Sequence, residues 1–475
     1  MRKSKLLAVL RTLSPPEWSR LEAFLHSPYF NRRTDVCRLF EYLRAQAQEG
    51  FPASALEKEV VWGALFPAGP VNATRLNHLN NWLLQLVETF LSIERYREQD
   101  LAVRDNLLQV YLARDLHKHF HFQWRKSRRQ LEARPADDLA SYRQRYLLWE
   151  RREEWVARRN ERKYNEALQR ANDYLDEYYF ARKAKYLSEM LDMQQFITGH
   201  YHRSMHAEVR EALRSAAELP PLLQVYDKLL ALFEDQDSET AFNQLLEAWR
   251  IHLPAFSPAD AKRLLYHAIN FCVYRINQGE RRYAYSLQAL YEEGIRTGIL
   301  LENGLLSPWT FKNMVRLGLG LKQYEWVESF VLTYSDRLPE REKEGALHYN
   351  LADVYYHQQQ YDLAMDHLKR VEYTDVHYHL GAKVMLLKIY FEKGEEEAFW
   401  SLLSALRVFL RRNASVARNV KKAYNNFATW SGRIFRMRPQ DAEAFRQKLE
   451  ATRAVNDRSW LMQQIGRKGA GKSGR

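Results

Sequence analysis

Apolar side chains recur every three to four residues along most of this chain, which is the spacing of one face of an α-helix. The clearest stretch follows Pro70, with apolar residues at Leu76, Leu79, Leu83, Leu86, Val87, Phe90 and Leu91. No segment shows a sustained apolar and polar alternation bounded by turn residues, so we expect no β-strands. Only 18 glycines and 14 prolines occur among 475 residues, which favours long helices joined by short turns. The sequence therefore predicts an all-α fold.

Turn-forming residues divide the chain into four predicted segments. The segments are an N-terminal helical domain (1–95), long charged and aromatic helices (96–219), helical repeats (220–435), and a basic C-terminal helix with a disordered tail (436–475). In the first segment we expect about five short helices. One of them starts at Ser14-Pro15-Pro16-Glu17, which combines a capping residue, first-turn prolines and an early carboxylate. The last ten residues, from Gly466, are nearly all Gly, Lys and Arg, so we expect them to be disordered.

Aromatic residues are concentrated between 138 and 215, separated by Arg and Glu. They are Tyr142, Tyr146, Trp149, Trp155, Tyr164, Tyr174, Tyr178, Tyr179, Phe180 and Tyr186. Their helical spacing favours a pair of long helices with aromatic core faces and ion-paired outer faces. The alternative interpretation is an aromatic groove for a peptide or a single nucleic-acid strand.

A repeat with a spacing of 37 residues relates Tyr324 to Tyr361, each of which follows a Gln. In the second unit the patterned positions are His348, Leu351, Ala352, Tyr355, Tyr361, Ala364, Leu368 and Val371. In the preceding unit they are Phe311, Met314, Val315, Gly318, Tyr324, Val327 and Val331, followed by Pro339. The pattern resembles the tetratricopeptide repeat, although the preceding unit departs from it at Gly318 and Val327. The resemblance covers residues 300–410 well and 220–300 loosely.

This resemblance implies an α-solenoid, in which helical hairpins stack on their neighbours and form a curved surface. Small residues at Ala352 and Ala364 allow close helix approach, and Tyr355 and Leu368 are expected to fill the gap to the next pair. Repeats of this family hold peptides or other proteins in a concave groove. We expect the groove to be lined by Asn313, Arg316, Asn350, Asp353, His357 and Lys388.

The net charge of +13 lies entirely at the C-terminal end. Residues 405–475 contain 17 basic and 4 acidic side chains, whereas residues 1–404 contain 55 of each. The candidate anion-binding surface consists of Arg407, Arg411, Arg412, Arg418, Lys421, Lys422, Arg433 and Arg436. Such a surface suits nucleic acid or another acidic partner. The alternative is a solvated helix face with a loose tail.

Two further resemblances concern the N-terminal segment. Trp62, Leu65-Phe66-Pro67 and the Leu-rich helix after it look like the end of a winged-helix domain in bacterial regulators that also carry tetratricopeptide-like repeats. That resemblance implies base contacts from Arg75, Asn77, His78, Asn80 and Asn81. The segment is not basic, however, and shows no wing strands. The block Ser27–Asn31 looks like that of uncharacterised bacterial helical proteins, which implies no activity.

Motifs for catalysis are absent or misplaced in this sequence. Gly466–Ser473 satisfies the letters of a phosphate-binding loop, but a helical segment precedes it and the chain ends two residues later, so we reject it. His117 and His121, and His202 and His206, could each share a helix face, yet no third ligand is evident. Cys37 and Cys272 are too few for a disulfide framework. We expect no catalytic, cofactor-binding or metal-binding residues.

The chain has no signal-peptide core and no apolar stretch long enough to span a membrane, so we expect a cytoplasmic protein. The function these observations favour is a non-enzymatic scaffold that binds a protein or peptide in the concave face of helical repeats. The alternative is a nucleic-acid-binding or regulatory protein, which would use the basic C-terminal surface or the helix-turn-helix-like N-terminal segment.

Overall fold

Helices dominate the fold, as the sequence predicts. The computed structural model describes residues 4–67, 69–133, 138–159, 162–197, 199–371, 376–413 and 417–470. Within these ranges the chain forms twenty-three α-helices and one two-stranded hairpin. The protein is therefore all-α, and its consecutive helices pack against one another in a solenoid-like arrangement.

The chain divides into two compact units, which we call the N-terminal unit (residues 1–180) and the C-terminal unit (181–475). The four-segment division expected from the sequence stays a prediction. The helices of the N-terminal unit are α1 Lys5–Leu10, α2 Pro15–Leu25, α3 Thr34–Gln48, α4 Lys58–Leu65, α5 Ala73–Glu98, α6 Asp100–Ala113, α7 His117–Glu132 and α8 Leu139–Ala157. Helix α9, Glu166–Gln194, contributes residues to both units.

The C-terminal unit continues with fourteen further helices in its described part. They are α10 His206–Ser215, α11 Pro221–Glu234, α12 Glu239–His252, α13 Pro258–Asn277, α14 Tyr283–Arg296, α15 Pro308–Gly320, α16 Tyr324–Tyr334, α17 Lys343–His357, α18 Tyr361–Arg370, α19 Val376–Lys393, α20 Glu396–Arg412, α21 Arg418–Phe435, α22 Ala442–Ala451 and α23 Arg458–Gly469. From α11 to α20 each odd-numbered helix pairs with the next, and each pair packs on the following one.

Local sequence explains where several helices begin. At α2, the backbone N–H and the hydroxyl of Ser14 both donate to Glu17 Oε2, at 2.7 and 2.6 Å. These bonds tie the carboxylate of the first turn to the capping residue. The five expected helices of residues 1–95 are confirmed, although α5 is long rather than short. In the segment 138–215, α8 and α9 are the two long helices expected, and α10 is an additional short one.

Two apolar clusters lie in the described part of the N-terminal unit. The first joins α1 to α5 through buried residues such as Leu6, Phe40 and Leu83. The second joins α6, α7 and α8 around Phe120 and Trp155. Burial of Tyr142 and Trp155 supports the core interpretation for part of the aromatic segment, whereas Tyr164 is largely exposed.

The departure of the first repeat at Gly318 and Val327 has a packing explanation. A Cβ atom on Gly318 would lie 2.4 Å from Val327 Cγ2 and 2.9 Å from the Trp326 ring, so the glycine makes room for these larger residues. In the next repeat the large and small residues are exchanged, with Tyr355 on the first helix and Ala364 on the second. The Tyr355 hydroxyl donates to Glu328 Oε1 of the preceding pair at 2.7 Å, and its side chain packs against the apolar cluster that α17 and α18 form with α19 of the next pair.

Two expectations about regular structure need correction. A short antiparallel hairpin pairs Leu301–Glu302 with Leu305–Leu306, where no strand was expected. Its turn residues, Asn303 and Gly304, both have positive φ, which matches an Asn-Gly turn. The expectation of disorder from Gly466 is wrong for Gly466–Gly469, which belong to α23. The end of the phosphate-loop-like string, from Gly471, lies outside the described residues.

Candidate functional site

The residues expected to line the groove lie on α15, α17 and α19. Asn313 and Arg316 are exposed on α15, and Asp353 is half-buried on α17. His357 is 40% exposed in its side chain, whereas that of Lys388 on α19 is 15% exposed. We call this surface the α15–α19 face.

Asn350 does not belong to this face, contrary to expectation. It is only 3% exposed, and its amide donates to the carbonyl of Ala346 in its own helix at 2.6 Å. A buried amide must find a partner, and the preceding helical turn supplies one. Asn350 is therefore a core residue whose amide is hydrogen-bonded within its own helix, and it is not a binding residue.

Glu392 on α19 accepts hydrogen bonds from three other helices, although nothing in the sequence singled it out. Its Oε1 accepts hydrogen bonds from Tyr356 at 2.7 Å and from Trp460 Nε1 at 2.6 Å. Its Oε2 accepts one from Tyr361 at 2.6 Å. Gln464 Nε2 adds a fourth bond to Oε1 at 3.2 Å. One carboxylate thus ties together α17, α18, α19 and α23.

Helix α23 packs onto α19 within this face. The Trp460 ring meets Phe391 edge-on, with centroids 5.1 Å apart. Leu461 and Ile465 are fully buried in the cluster that α19 and α20 form with α21. Lys388 forms a salt bridge with Asp457, immediately before α23. The surface predicted to hold a protein or peptide partner therefore already holds a helix of this chain.

Several charged side chains of this face lie close enough to shift the pKa values of their neighbours. Burial lowers the pKa of His357, but the hydrogen bonds and the charge of Asp353 outweigh it, so the pKa is raised above its ordinary value. Burial also raises the pKa of the Tyr349 hydroxyl well above its usual range, with Asp353 and Asp457 adding to the effect and Arg316 opposing it. Arg316, Tyr349 and Asp353 thus belong to one charged and aromatic patch.

The basic residues of the C-terminal end divide into two groups. Most of them are near the end of α20 and the start of α21, namely Arg407, Arg411, Arg412, Arg418, Lys421 and Lys422. Arg433 and Arg436 lie about 20 Å further along, near the end of α21. There they contact indole rings, Arg433 over Trp430 at 5.3 Å and Arg436 over Trp400 at 4.1 Å. The eight residues therefore do not form one continuous site.

The N-terminal segment presents the residues that the winged-helix resemblance implies. On α5, Asn80 is half-buried, and the exposed members of the set are Arg75, Asn77, His78 and Asn81. Arg75 stacks over Phe66 at 4.4 Å, beside an open concavity of about 730 Å³. No strand occurs in the described residues of the N-terminal unit, so no wing accompanies the helix there.

His117 and His121 are both engaged with other side chains. His117 Nδ1 accepts from Trp155 Nε1 at 3.2 Å, and His121 Nδ1 accepts from Arg152 Nη1 at 3.0 Å. Among the described residues no cluster of three His, Cys, Asp or Glu side chains is arranged to hold a metal ion. His202 is exposed, and His206 is half-buried at the start of α10.

A buried polar cluster between α9 and α13 also escaped sequence reasoning. His267 Nδ1 lies 3.0 Å from Asp192 Oδ2, which also accepts from Asn270 at 2.8 Å. His267 is 4% exposed and Asp192 is 8% exposed. Their separation of 75 residues leaves no local pattern by which the sequence could reveal them. The geometry fits a polar cross-link between two packed helices.

No protein-family model, curated protein or solved structure matches this chain. Within the described ranges, none of the helices combines the length and apolar character that a membrane-spanning segment needs.

Proposed function

We propose that this protein is a non-enzymatic scaffold that binds a helical segment of a protein partner on the α15–α19 face. The tetratricopeptide-like pattern of residues 300–410 supports this proposal, since such hairpins present first-helix side chains to a shared surface. The two cysteines lie far apart in sequence and are expected to stay reduced, which fits the cytoplasmic location that we propose.

The observation that carries the proposal is the seating of α23. This helix is held by an aromatic side chain, Trp460, and a polar one, Gln464, which both donate to Glu392. Recognition of a helix by spaced anchors on one face is a recurring mode of peptide binding. The neighbouring residues Arg316, Asp353 and His357 extend this surface beyond α23 with side chains of both charges.

Binding of a helix in trans tests the proposal. The variant W460A/Q464A loses two donors to Glu392, so we expect its α23 to release the face. A labelled peptide of residues 456–470 should then bind this variant and bind the wild-type chain at least tenfold more weakly. The matched control peptide carries the same two substitutions and should not bind. Equal binding of both peptides, or none by either chain, would contradict the proposal.

A cellular experiment addresses the partner itself. A photo-crosslinking residue at His357 should capture a protein, whereas one at Leu363 on the exposed side of α18 should not. With the photo-crosslinking residue in the W460A/Q464A variant, the peptide of residues 456–470 should remove the captured protein. Capture at both positions, or capture insensitive to the peptide, would count against a specific groove.

A second candidate function is binding of an acidic partner at the C-terminal end. It is favoured by the exposed basic side chains of α20 and α21, among them Arg411, Arg412 and Arg418. Binding of this kind weakens steeply with added salt. Loss of binding in R411A/R412A/R418A would support this role, and an unchanged affinity would exclude it.

A further inference from the structure

Helix α7 carries a row of basic side chains along one exposed face. The row is Lys118, Arg125, Lys126 and Arg129, and none of the four forms a salt bridge with a described residue. Its length is about 16 Å, since a helix rises about 1.5 Å per residue. Residues 1–404, which include this row, contain equal numbers of basic and acidic residues, so the net charge of that segment does not reveal the row.

An exposed aromatic ring interrupts the row. Phe122 is 70% exposed, whereas Phe120 and Trp124 of the same helix are buried in the core of α6, α7 and α8. The apolar face of α7 therefore packs in this core, and Phe122 lies outside that face. A ring held on a basic helix face offers a platform on which a base can stack.

Two arginines of the α8 region extend the positive surface. Arg152 stacks over Trp155 at 4.5 Å, and Arg159 over the same ring at 4.1 Å. Arg152 is half-buried, and its guanidinium donates a hydrogen bond to His121 rather than to a carboxylate. Burial lowers the pKa of Arg152, the charges of Arg159 and Arg125 lower it further, and the charge of Glu166 opposes them without reversing the shift. Several positive charges close together at a half-buried site destabilise the fold unless an anion compensates them.

We propose that the surface formed by this row, Phe122, Arg152 and Arg159 binds single-stranded nucleic acid. The cations would contact successive phosphates, while Phe122 would stack on a base. The length of the row suits a polyanion rather than a single phosphate. Duplex DNA offers phosphates but no free base face within its stack, and a membrane surface would require more exposed apolar side chains than Phe122.

Fluorescence anisotropy with labelled 20-nucleotide single strands, using the full-length chain, tests this inference. The triple variant R125A/K126A/R129A should bind at least about tenfold more weakly at low salt. Its plot of log affinity against log salt should be shallower by about 2, since each neutralised phosphate contributes about 0.7 for single strands. The variant F122A should bind about five-fold or more weakly with an unchanged salt slope, and F122W should retain affinity.

The matched control is R281A/R296A/R341A, which removes three exposed arginines outside both candidate anion-binding surfaces and should leave the affinity unchanged. Circular dichroism should show the same helix content in all variants. No binding at low salt would overturn the inference. Equal or tighter binding of duplex, heparin or anionic vesicles, with no effect of F122A, would overturn it too, because any polyanion would then suffice. Loss of affinity in R407A/R411A/R412A but not in R125A/K126A/R129A would place the anion site at the C-terminal end and overturn the inference.

Discussion

The indole N–H of Trp460 donates to Glu392 Oε1 at 2.6 Å, which joins residues 68 positions apart. This contact fastens the C-terminal helix to the repeat face. W460F keeps most of the ring packing and should cost about 1 kcal/mol, the worth of one hydrogen bond. W460A also leaves a cavity and should cost about 3 kcal/mol or more. Hydrogen exchange of α23 should rise in the same order, and equal exchange in both variants would contradict this assignment.

Arg210 provides a test of buried ion pairing. Its guanidinium is 5% exposed and contacts Asp227 at 2.6 Å and Glu234 at 2.8 Å. R210A leaves two poorly solvated carboxylates without this cation, so unfolding should become easier by about 3 kcal/mol. Arg214 contacts the same Glu234 but is 57% exposed, so R214A should cost less than about 1 kcal/mol. Chemical denaturation measures both, and similar losses would refute the role of burial.

Large and small residues exchange places between the two repeats, so we expect a smaller residue at Val327 to compensate for a larger one at Gly318. G318A places a Cβ against Val327 and should destabilise the chain by about 1–3 kcal/mol. In a V327A background the same substitution should cost less, because the clashing methyl groups are gone. Thermal unfolding of the four proteins in this double-mutant cycle gives the coupling energy. Additive losses would show that the two positions do not compete for space.

His357 predicts a pH effect of defined sign. Its pKa lies above the ordinary value because Asp353 outweighs burial. The pair therefore stabilises the fold fully below the unfolded value of about 6.5, and this contribution is lost as pH rises through the folded pKa. Nuclear magnetic resonance should place the His357 titration above about 6.5 in the wild type and lower in D353N. A pKa unchanged by D353N would contradict this account.

The two cysteines should differ as probes of unfolding. Burial raises the pKa of Cys272 to about 12, and its side chain is fully buried in α13. Cys37 is half-buried in the N-terminal unit, and burial raises its pKa above the ordinary value as well. A thiol reagent at pH 8 should therefore modify Cys37 slowly and Cys272 only with denaturant. C37S should abolish the native-state reaction, and any remaining reaction in that variant would contradict the burial of Cys272.

The helices were predictable because their apolar spacing is local, as in Leu76 to Leu91. The hairpin at Leu301–Leu306 was missed even though Asn303-Gly304 is a turn signal, because two-residue strands are too short to alternate visibly. Glu392 and its donors could not be predicted, since Tyr356 and Trp460 are far apart in sequence and meet only through packing. Asn350 was misassigned because polarity alone does not distinguish an exposed amide from one bonded to its own helix.

The short connection between α22 and α23 determines how tightly a partner must bind in order to displace α23. Only Thr452–Asp457 separates the two helices, and Arg458 is bonded to the carbonyls of Leu449 and Glu450. A tether of this length holds its helix near the face at an effective concentration on the order of millimolar. A partner helix with the same intrinsic affinity as α23 would therefore stay unbound at ordinary cellular levels. Under the proposed function, α23 therefore excludes weak ligands from the α15–α19 face and admits only those that bind tightly enough to displace it.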